Sequence, residues 1–392
     1  MQASQTPNSE LLAKSPLGGQ AWLSSALWDC SWIIAPAVMS ASAVLIFRDR
    51  LEGYQNVPLW VWVCFILLVD VTHVYATLFR TYLDPVALQK NKTVLLVMPI
   101  IAWVGGCLLY SIKEQYFWRG LAYLAVFHFI RQQYGFMVLY SRKEPESMKK
   151  FQWLDQAAIY MATIYPLLFW HTHLRNFNWF VATDFVEGVP AVVGDIGLAV
   201  YAIVAAAYCI KEIFMAVKGQ GLRSINIPKN LLLISTAFSW WACIVAVNSD
   251  VAFTITNVVS HGVPYMALVW LYHGAEAQKK KSDKIEAQDN TNDEKRASEA
   301  SWQSGWRKLV ISNVLIFFVF MALLAWLEEG FWDGFIWREH LAVFAPFWGL
   351  PRIGDAALLA LLVPFLSLPQ STHYLLDGFI WRVKERNNIW SA

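Results

Sequence analysis

The sequence predicts an all-α integral membrane protein, a bundle of about ten transmembrane helices with both termini in the cytoplasm. The first observation behind this prediction is composition: 57% of the 392 residues are hydrophobic and only 15% are charged. Soluble domains are nearer half apolar and a quarter charged. The composition therefore excludes a soluble enzyme, a disordered regulator and a secreted disulfide scaffold.

The second observation is a series of ten long apolar segments. Each approaches the roughly 20 residues that a helix needs to cross a bilayer. They are continuous runs without the alternation of a membrane β-barrel, which favours helices. A tight turn at 248–250 separates the seventh from the eighth. The predicted spans are 30–47, 58–79, 93–111, 119–140, 152–170, 190–210, 229–248, 251–272, 309–327 and 354–376.

The third observation is the uneven distribution of lysine and arginine. If the segment before the first span is connection zero, the even-numbered connections, which include both termini, contain 23 of these residues. The odd-numbered connections contain 7, and Arg131 lies inside a span. These counts assign Arg119 and Lys229, the first residues of the fourth and seventh spans, to the connections before them. Because cytoplasmic loops of membrane proteins are enriched in basic residues, the asymmetry supports ten spans and cytoplasmic termini.

The predicted organisation has five parts. The segment 279–301 is charged and polar, which is typical of a solvated tether between two groups of spans. The connection before the last span is rich in aromatic residues and is expected to lie at the outer membrane interface. The parts are a cytoplasmic N-terminal segment (1–29), an eight-span core (30–272), a polar cytoplasmic linker (273–308), two final spans with an outer aromatic loop (309–376) and a cytoplasmic tail (377–392).

Four histidines inside even-numbered spans are the main functional signal. Ionisable residues are costly in hydrocarbon, so their presence in a span is a functional-site hypothesis by default. The even-numbered spans run in one direction, so the four imidazoles lie at overlapping depths. They can converge only if these helices are neighbours, which the sequence does not show. The histidines and their helix-face neighbours are Asp70 with His73, His128 with Arg131, His261 with Asn257 and Tyr265, and His373 with Asp377.

The residue types favour a metal site. Imidazole is the commonest side-chain metal ligand, and carboxylates complete many iron and zinc sites. The predicted ligands are His73, His128, His261 and His373, with Asp70 and Asp377 as further ligands. Alternatively, these two carboxylates accept hydrogen bonds from the ligating rings. We expect iron, with copper or zinc as alternatives.

Three further residues are candidates for catalysis: Arg131, Tyr134 and Tyr265. An arginine deep in a span needs an anion, either Asp70 or a carboxylate or phosphate of the substrate. Each residue also has a structural interpretation, because a lone intramembrane histidine usually forms an interhelical hydrogen bond and a tyrosine usually packs. The set of four histidines with nearby polar groups is more informative than any member.

The leading functional prediction is a metal-dependent oxidoreductase that takes an apolar or lipid-like substrate from the bilayer. The alternative is a proton-coupled transporter or channel that uses the same buried groups, although the sequence lacks the two-half symmetry common in secondary transporters. A bis-histidine haem protein, an acyltransferase with His128 or His261 as its catalytic histidine, and a structural assembly factor also remain open.

Several other classes find no support in the sequence. No basic stripe or nucleic-acid-binding motif occurs, so nucleic acid is not an expected partner. The P-loop, the H-E-x-x-H zincin motif, paired Glu-x-x-His motifs and the G-x-S-x-G elbow are all absent. The five cysteines have neither disulfide-framework nor zinc-ribbon spacing. The sequence gives no indication of the oligomeric state.

Overall fold

The computed structural model describes residues 20–52, 54, 57–144, 146–173, 179–218, 225–288 and 306–380, and these ranges contain helices and no β-strand. The helices are α1 (Ala26–Ile46), α2 (Arg48–Leu51), α3 (Leu59–Arg80), α4 (Pro85–Lys90), α5 (Lys92–Ile112), α6 (Glu114–Ser141), α7 (Glu146–Lys149), α8 (Gln152–Thr172), α9 (Ala191–Lys218), α10 (Ile227–Ala246), α11 (Asp250–Gln288), α12 (Trp306–Ser312), α13 (Val314–Trp337), α14 (Leu341–Phe344), α15 (Ala356–Leu366) and α16 (Leu368–Ile380).

Long apolar helices make this a membrane-embedded protein. Within the described ranges, α1, α3, α5, α9, α10 and α13 are long and apolar enough to cross a bilayer. The bent pair α15 and α16 adds a seventh span if it counts as one. The remaining three predicted spans coincide with α6, α8 and α11, which are long but more polar. The all-helical class is confirmed, whereas ten spans and cytoplasmic termini remain predictions.

Three predicted segments differ from the structure. The ninth span, 309–327, is interrupted at Asn313, and α13 continues to Trp337. The last span, 354–376, is broken at Ser367 into α15 and α16, which meet at a bend of 44°. Pro364 and Pro369 flank the break, and each lacks the N–H that a straight helix uses. The predicted linker 273–308 begins as a continuation of α11 to Gln288, because its first part is rich in the helix formers Ala, Glu, Gln and Lys. The rest of that linker up to 305, the segment 1–19 and the tail from 381 onward lie outside the described residues.

The chain divides into two compact units. In unit 1, α8 packs against α9 and α10, and α1 packs against α10. In unit 2, α13 packs against α3, and α5 packs against α15 and α16. The five-part organisation stays a prediction. Unit 1 comprises Met1–Gln55, Phe129–Asn178 and Phe185–Ser260, and unit 2 comprises Asn56–His128, Trp179–Asp184 and His261–Ala392.

A buried ionic network joins α8, α9 and α10 in unit 1. The Nζ atom of Lys229 lies 2.7 Å from Glu144 Oε1 and 3.0 Å from Asp155 Oδ2. Lys211 is paired with the same Asp155 and lies 2.6 Å from Glu212 Oε1. All five side chains are largely buried. Buried charges are stable only when they are paired and hydrogen-bonded, so this network is a structural clamp.

A single carboxylate organises the segment 179–184 of unit 2. Oδ2 of Asp184 accepts hydrogen bonds from the backbone N–H groups of Trp179, Phe180 and Val181 at 3.1, 2.7 and 3.3 Å. Burial raises the pKa of Asp184 to about 6, although these three donors act in the opposite direction. The ordered segment holds the Phe180 ring 5.7 Å from the ring of Trp118.

Candidate metal centre

The four predicted histidines meet in the interior of unit 2. His73 comes from α3, His128 from α6, His261 from α11 and His373 from α16. Their exposed fractions are 0, 2, 1 and 1%, so each ring is buried. One ligand nitrogen from each lies within 4.8 Å of the other three. The convergence that the sequence left open is therefore present in the fold.

Local backbone features allow α3 and α11 to approach each other. The part of α3 from Trp62 to Val71 is a π-helix, which is frequent at functional sites, and it ends two residues before His73. Gly262 follows His261 on α11. A Cβ atom at this glycine would lie 2.9 Å from Val69 Cγ1 and 3.4 Å from His73 Cγ. A larger residue at 262 would push the two histidine-bearing helices apart.

The distances between the Nε2 atoms are those of a ligand set. Nε2 of His261 lies 2.9 Å from Nε2 of His73 and 3.2 Å from Nε2 of His128. In a tetrahedral site with metal–nitrogen bonds of ~2.0–2.1 Å, neighbouring nitrogens are about 3.3 Å apart. The three rings are therefore nearly in position to share one ion.

The groups next to the Nδ1 atoms indicate which ring nitrogen carries the proton. Nδ1 of His73 donates to the carbonyl oxygen of Val69 at 3.2 Å, and a carbonyl can only accept. Nδ1 of His128 lies 3.6 Å from Asp377 Oδ2, and Asp70 Oδ1 lies 3.8 Å from Nδ1 of His73. The neutral His73 ring thus keeps its proton on Nδ1 and turns its Nε2 lone pair inward, and Nδ1 of His128 faces a carboxylate. Both carboxylates occupy the position of a supporting group next to a ligand.

Facing lone pairs repel unless a cation lies between them. A neutral His261 can place at most one proton on Nε2, so it can donate to His73 or to His128 but not to both. One close pair of nitrogens therefore remains without a shared proton. A metal ion bound to the Nε2 atoms removes this conflict, so the residues present fit such an ion.

Two hydroxyl groups, those of Thr77 and Tyr265, position the ring of His373. Its Nδ1 lies 2.6 Å from Thr77 Oγ1, which is in turn 2.9 Å from the Tyr265 hydroxyl. Its Nε2 is buried and has no hydrogen-bond partner among the residues that the structure describes. Because an unsatisfied buried nitrogen is costly, this atom is a natural fourth ligand. Tyr265, a catalytic candidate from the sequence, thus contacts the site through Thr77.

We predict that replacing Thr77 with valine weakens metal binding. Valine keeps the size of threonine but leaves Nδ1 of His373 without its hydroxyl partner. Loss of such a supporting group typically lowers metal affinity by roughly 10–100-fold. Competition titration against a chelator would measure the loss, and Thr77→Ser should retain near wild-type affinity. Equal affinities of the valine and serine proteins would contradict a role for the hydroxyl.

The other two catalytic candidates belong to unit 1. Nη1 of Arg131 donates to the Tyr160 hydroxyl at 2.7 Å, and its guanidinium carbon lies 5.2 Å from the centroid of the Tyr134 ring. These described partners are tyrosines, whereas the sequence analysis considered an ion pair with Asp70. Catalytic roles for Arg131 and Tyr134 stay predictions.

Three residues near the site were not predicted. Thr77 lies one helical turn after His73, so its spacing on α3 was an available signal. Glu328 is a carboxylate inside the span α13, which the rule on intramembrane ionisable groups would have selected. The Tyr374 ring lies 5.2 Å from the His128 ring, and no sequence signal distinguishes it from a packing aromatic.

Comparisons of the chain with protein-family models, with curated proteins and with solved structures found no match. An assignment of function therefore depends on the four histidines and the groups around them.

Proposed function

We propose that the four histidines hold one metal ion, with iron first and copper or zinc as alternatives, and that the protein is a membrane metal-dependent oxidoreductase. The observation that carries this proposal is the inward convergence of Nε2 atoms at 2.9 and 3.2 Å, while Nδ1 of His73 donates outward to the Val69 carbonyl oxygen. A set of imidazole ligands suits iron, copper and zinc. Bound iron or copper would supply one-electron chemistry.

The location of the site supports an apolar or lipid-like substrate. The ligands lie on helices of an apolar, membrane-embedded unit, and α3 itself is long and apolar enough to span a bilayer. Large apolar side chains are exposed along α5 of the same unit, including Leu96, Ile100 and Leu108. Such a surface faces lipid in a membrane, so substrates dissolved in the bilayer reach this unit more readily than polar ones.

The chain's own residues would position the ion and exclude water. Thr77 and Tyr265 hold the His373 ring, and Tyr374 packs against His128. The carboxyl groups of Asp70 and Asp377 lie 3.8 and 3.6 Å from Nδ1 of His73 and His128, and in their ionised form they would offset part of the positive charge of an ion in this apolar interior. The partners of the protein under this proposal are the bilayer and a lipid-like molecule.

A proton-coupled transporter is the second candidate, and Glu328 favours it. This carboxylate on α13 is 7% exposed and accepts a hydrogen bond from the Tyr75 hydroxyl at 2.8 Å. Buried carboxylates in spans are typical of proton pathways. A transporter would use Glu328 and the histidines as proton carriers and would not require a bound metal.

Metal content of the protein purified in mild detergent without chelators tests the proposal. We expect close to one iron or copper per chain by elemental mass spectrometry, with an optical band that is lost in His128→Ala. The exposed His173 is the matched control, because His173→Ala removes one imidazole and should keep the metal. Oxygen uptake with vesicles made from extracted membrane lipids then tests oxidation. A metal-free wild-type protein would contradict the proposal and favour the transporter, whereas a Soret band would redirect it to haem.

A further inference from the structure

A group of aromatic rings in unit 2 extends from the histidines to a partly exposed tryptophan. The Tyr374 ring lies 5.2 Å from His128 and packs in one apolar cluster with Trp118 and Trp332. The Trp332 ring is 5.9 Å from Trp118 and 5.9 Å from Trp337, with the latter pair stacked at 15°. Trp118 and Trp332 are buried, whereas Trp337 is partly exposed. The three tryptophans are in mutual contact, because Trp118 and Trp337 are also 5.8 Å apart.

The tryptophan at the centre of this group has a buried carboxylate beside it. The side chain of Trp332 is a hydrogen-bonding partner of Glu328, which also accepts from the Tyr75 hydroxyl. In its ionised form this carboxylate would stabilise the positive charge that appears when the indole ring loses an electron. The ionised form could also accept the indole N–H proton. Simple aromatic packing requires neither feature.

The exposed end of the group lies beside polar residues. Trp337 is followed directly by Arg338 and by the exposed Glu339, and Asp333 accepts hydrogen bonds from the Glu339 and His340 N–H groups at 2.8 and 2.9 Å. Charged side chains of this kind are favoured at a water-facing surface. Trp337 is thus the ring of this group that an electron donor in water would reach first.

We infer that Trp337, Trp118 and Trp332 form an electron-transfer path between a water-soluble one-electron reductant and the metal centre. This inference rests on the proposed metal-dependent function. One electron leaves Trp332 for the oxidised centre, and the indole proton moves to the ionised form of Glu328. Trp337 then returns an electron to Trp332 directly or through Trp118, and the proton returns to the indole nitrogen. The external reductant restores Trp337, and dioxygen or the substrate is the terminal oxidant.

A second pair of aromatic rings in unit 2 provides a control. Trp103 on α5 lies 6.3 Å from Phe365, and its indole N–H donates to the Leu361 carbonyl oxygen. Its described hydrogen-bond partner is thus a backbone carbonyl and not a carboxylate. Trp103 is 37% exposed. Replacing Trp103 with phenylalanine therefore changes an aromatic contact of the same unit without touching the path.

The experiment has a metal-dependent arm and a metal-independent arm. In the first, the iron- or copper-loaded protein in its oxidised state is mixed with ascorbate as the water-soluble reductant, and reduction of the centre is followed optically in a stopped-flow instrument. We expect Trp332→Phe to slow reduction by roughly tenfold or more at unchanged metal content, and Trp103→Phe to leave the rate unchanged. In the second, the His128→Ala protein is photo-oxidised with a ruthenium sensitiser and persulfate, and the trapped radical is read by electron paramagnetic resonance.

The second arm separates the path from the metal site. We expect a deprotonated tryptophan radical that disappears in Trp332→Phe and becomes a protonated cation radical in Glu328→Gln, because the amide cannot take the proton. The same radical in Trp332→Phe and in its parent would overturn the path, as would equal rates of reduction by ascorbate in the first arm. Absence of metal from wild-type protein would contradict the proposed function, and the radical would still decide whether Trp332 is the oxidised ring.

Discussion

Replacing His261 with alanine is expected to abolish metal binding. Its Nε2 is the shared neighbour of His73 and His128, at 2.9 and 3.2 Å, so its loss removes both of the close nitrogen pairs. Loss of a supporting group already costs roughly 10–100-fold in affinity, and loss of a central ligand should exceed the upper end of that range. Isothermal titration or competition with a chelator in detergent would measure the change in affinity.

The four histidines are not expected to contribute equally to metal affinity, and this difference is a further test. His373 is held by Thr77 and lies with its ring centroid 6.3 Å from that of His261. We therefore expect His373→Ala to weaken binding less than His261→Ala does, and His173→Ala to have no effect. Equal, small losses for His261→Ala and His173→Ala would show that the ion, if one is bound, lies elsewhere.

Replacing Lys229 with methionine is expected to cause the largest loss of stability. Glu144 and Asp155 contact its Nζ at 2.7 and 3.0 Å, and the side-chain exposures of the three residues are 3–5%. Without the lysine, a network of two cations and three anions loses one cation while its carboxylates stay buried. Removal of one partner from a buried ion pair typically costs about 3–5 kcal/mol. The free energy of unfolding in mixed detergent–SDS micelles is the measurement.

Two further variants separate charge from packing. Lys229→Met combined with Glu144→Gln restores the net charge of the network and should recover part of the lost stability. The exposed Lys218 at the end of α9 provides a matched control, since Lys218→Met should change the unfolding free energy by no more than about 0.5 kcal/mol. A Lys229→Met protein as stable as the Lys218→Met protein would show that the network does not act as a clamp.

The sequence alone was sufficient for the class of the protein and for the identity of its unusual residues. Hydrophobicity and helix length are local properties, so the apolar helices could be recognised without neighbours. The cost of an ionisable group in hydrocarbon is also local, which is why His73, His128, His261 and His373 could be selected one by one. Pro364 and Pro369, which flank the bend at Ser367, are a local signal of the same kind.

What the tertiary structure decided was which of these groups meet and through which atoms. Four histidines separated by up to 300 residues converge only because α3, α6, α11 and α16 contribute to one unit, and Gly262 permits the close approach within it. The roles of Nδ1 and Nε2 depend on a backbone carbonyl, a carboxylate and the Thr77 hydroxyl that the fold places behind the rings. Side-chain identity is a property of the sequence, but the geometry of a ligand set arises from packing between distant segments, and no local pattern encodes it.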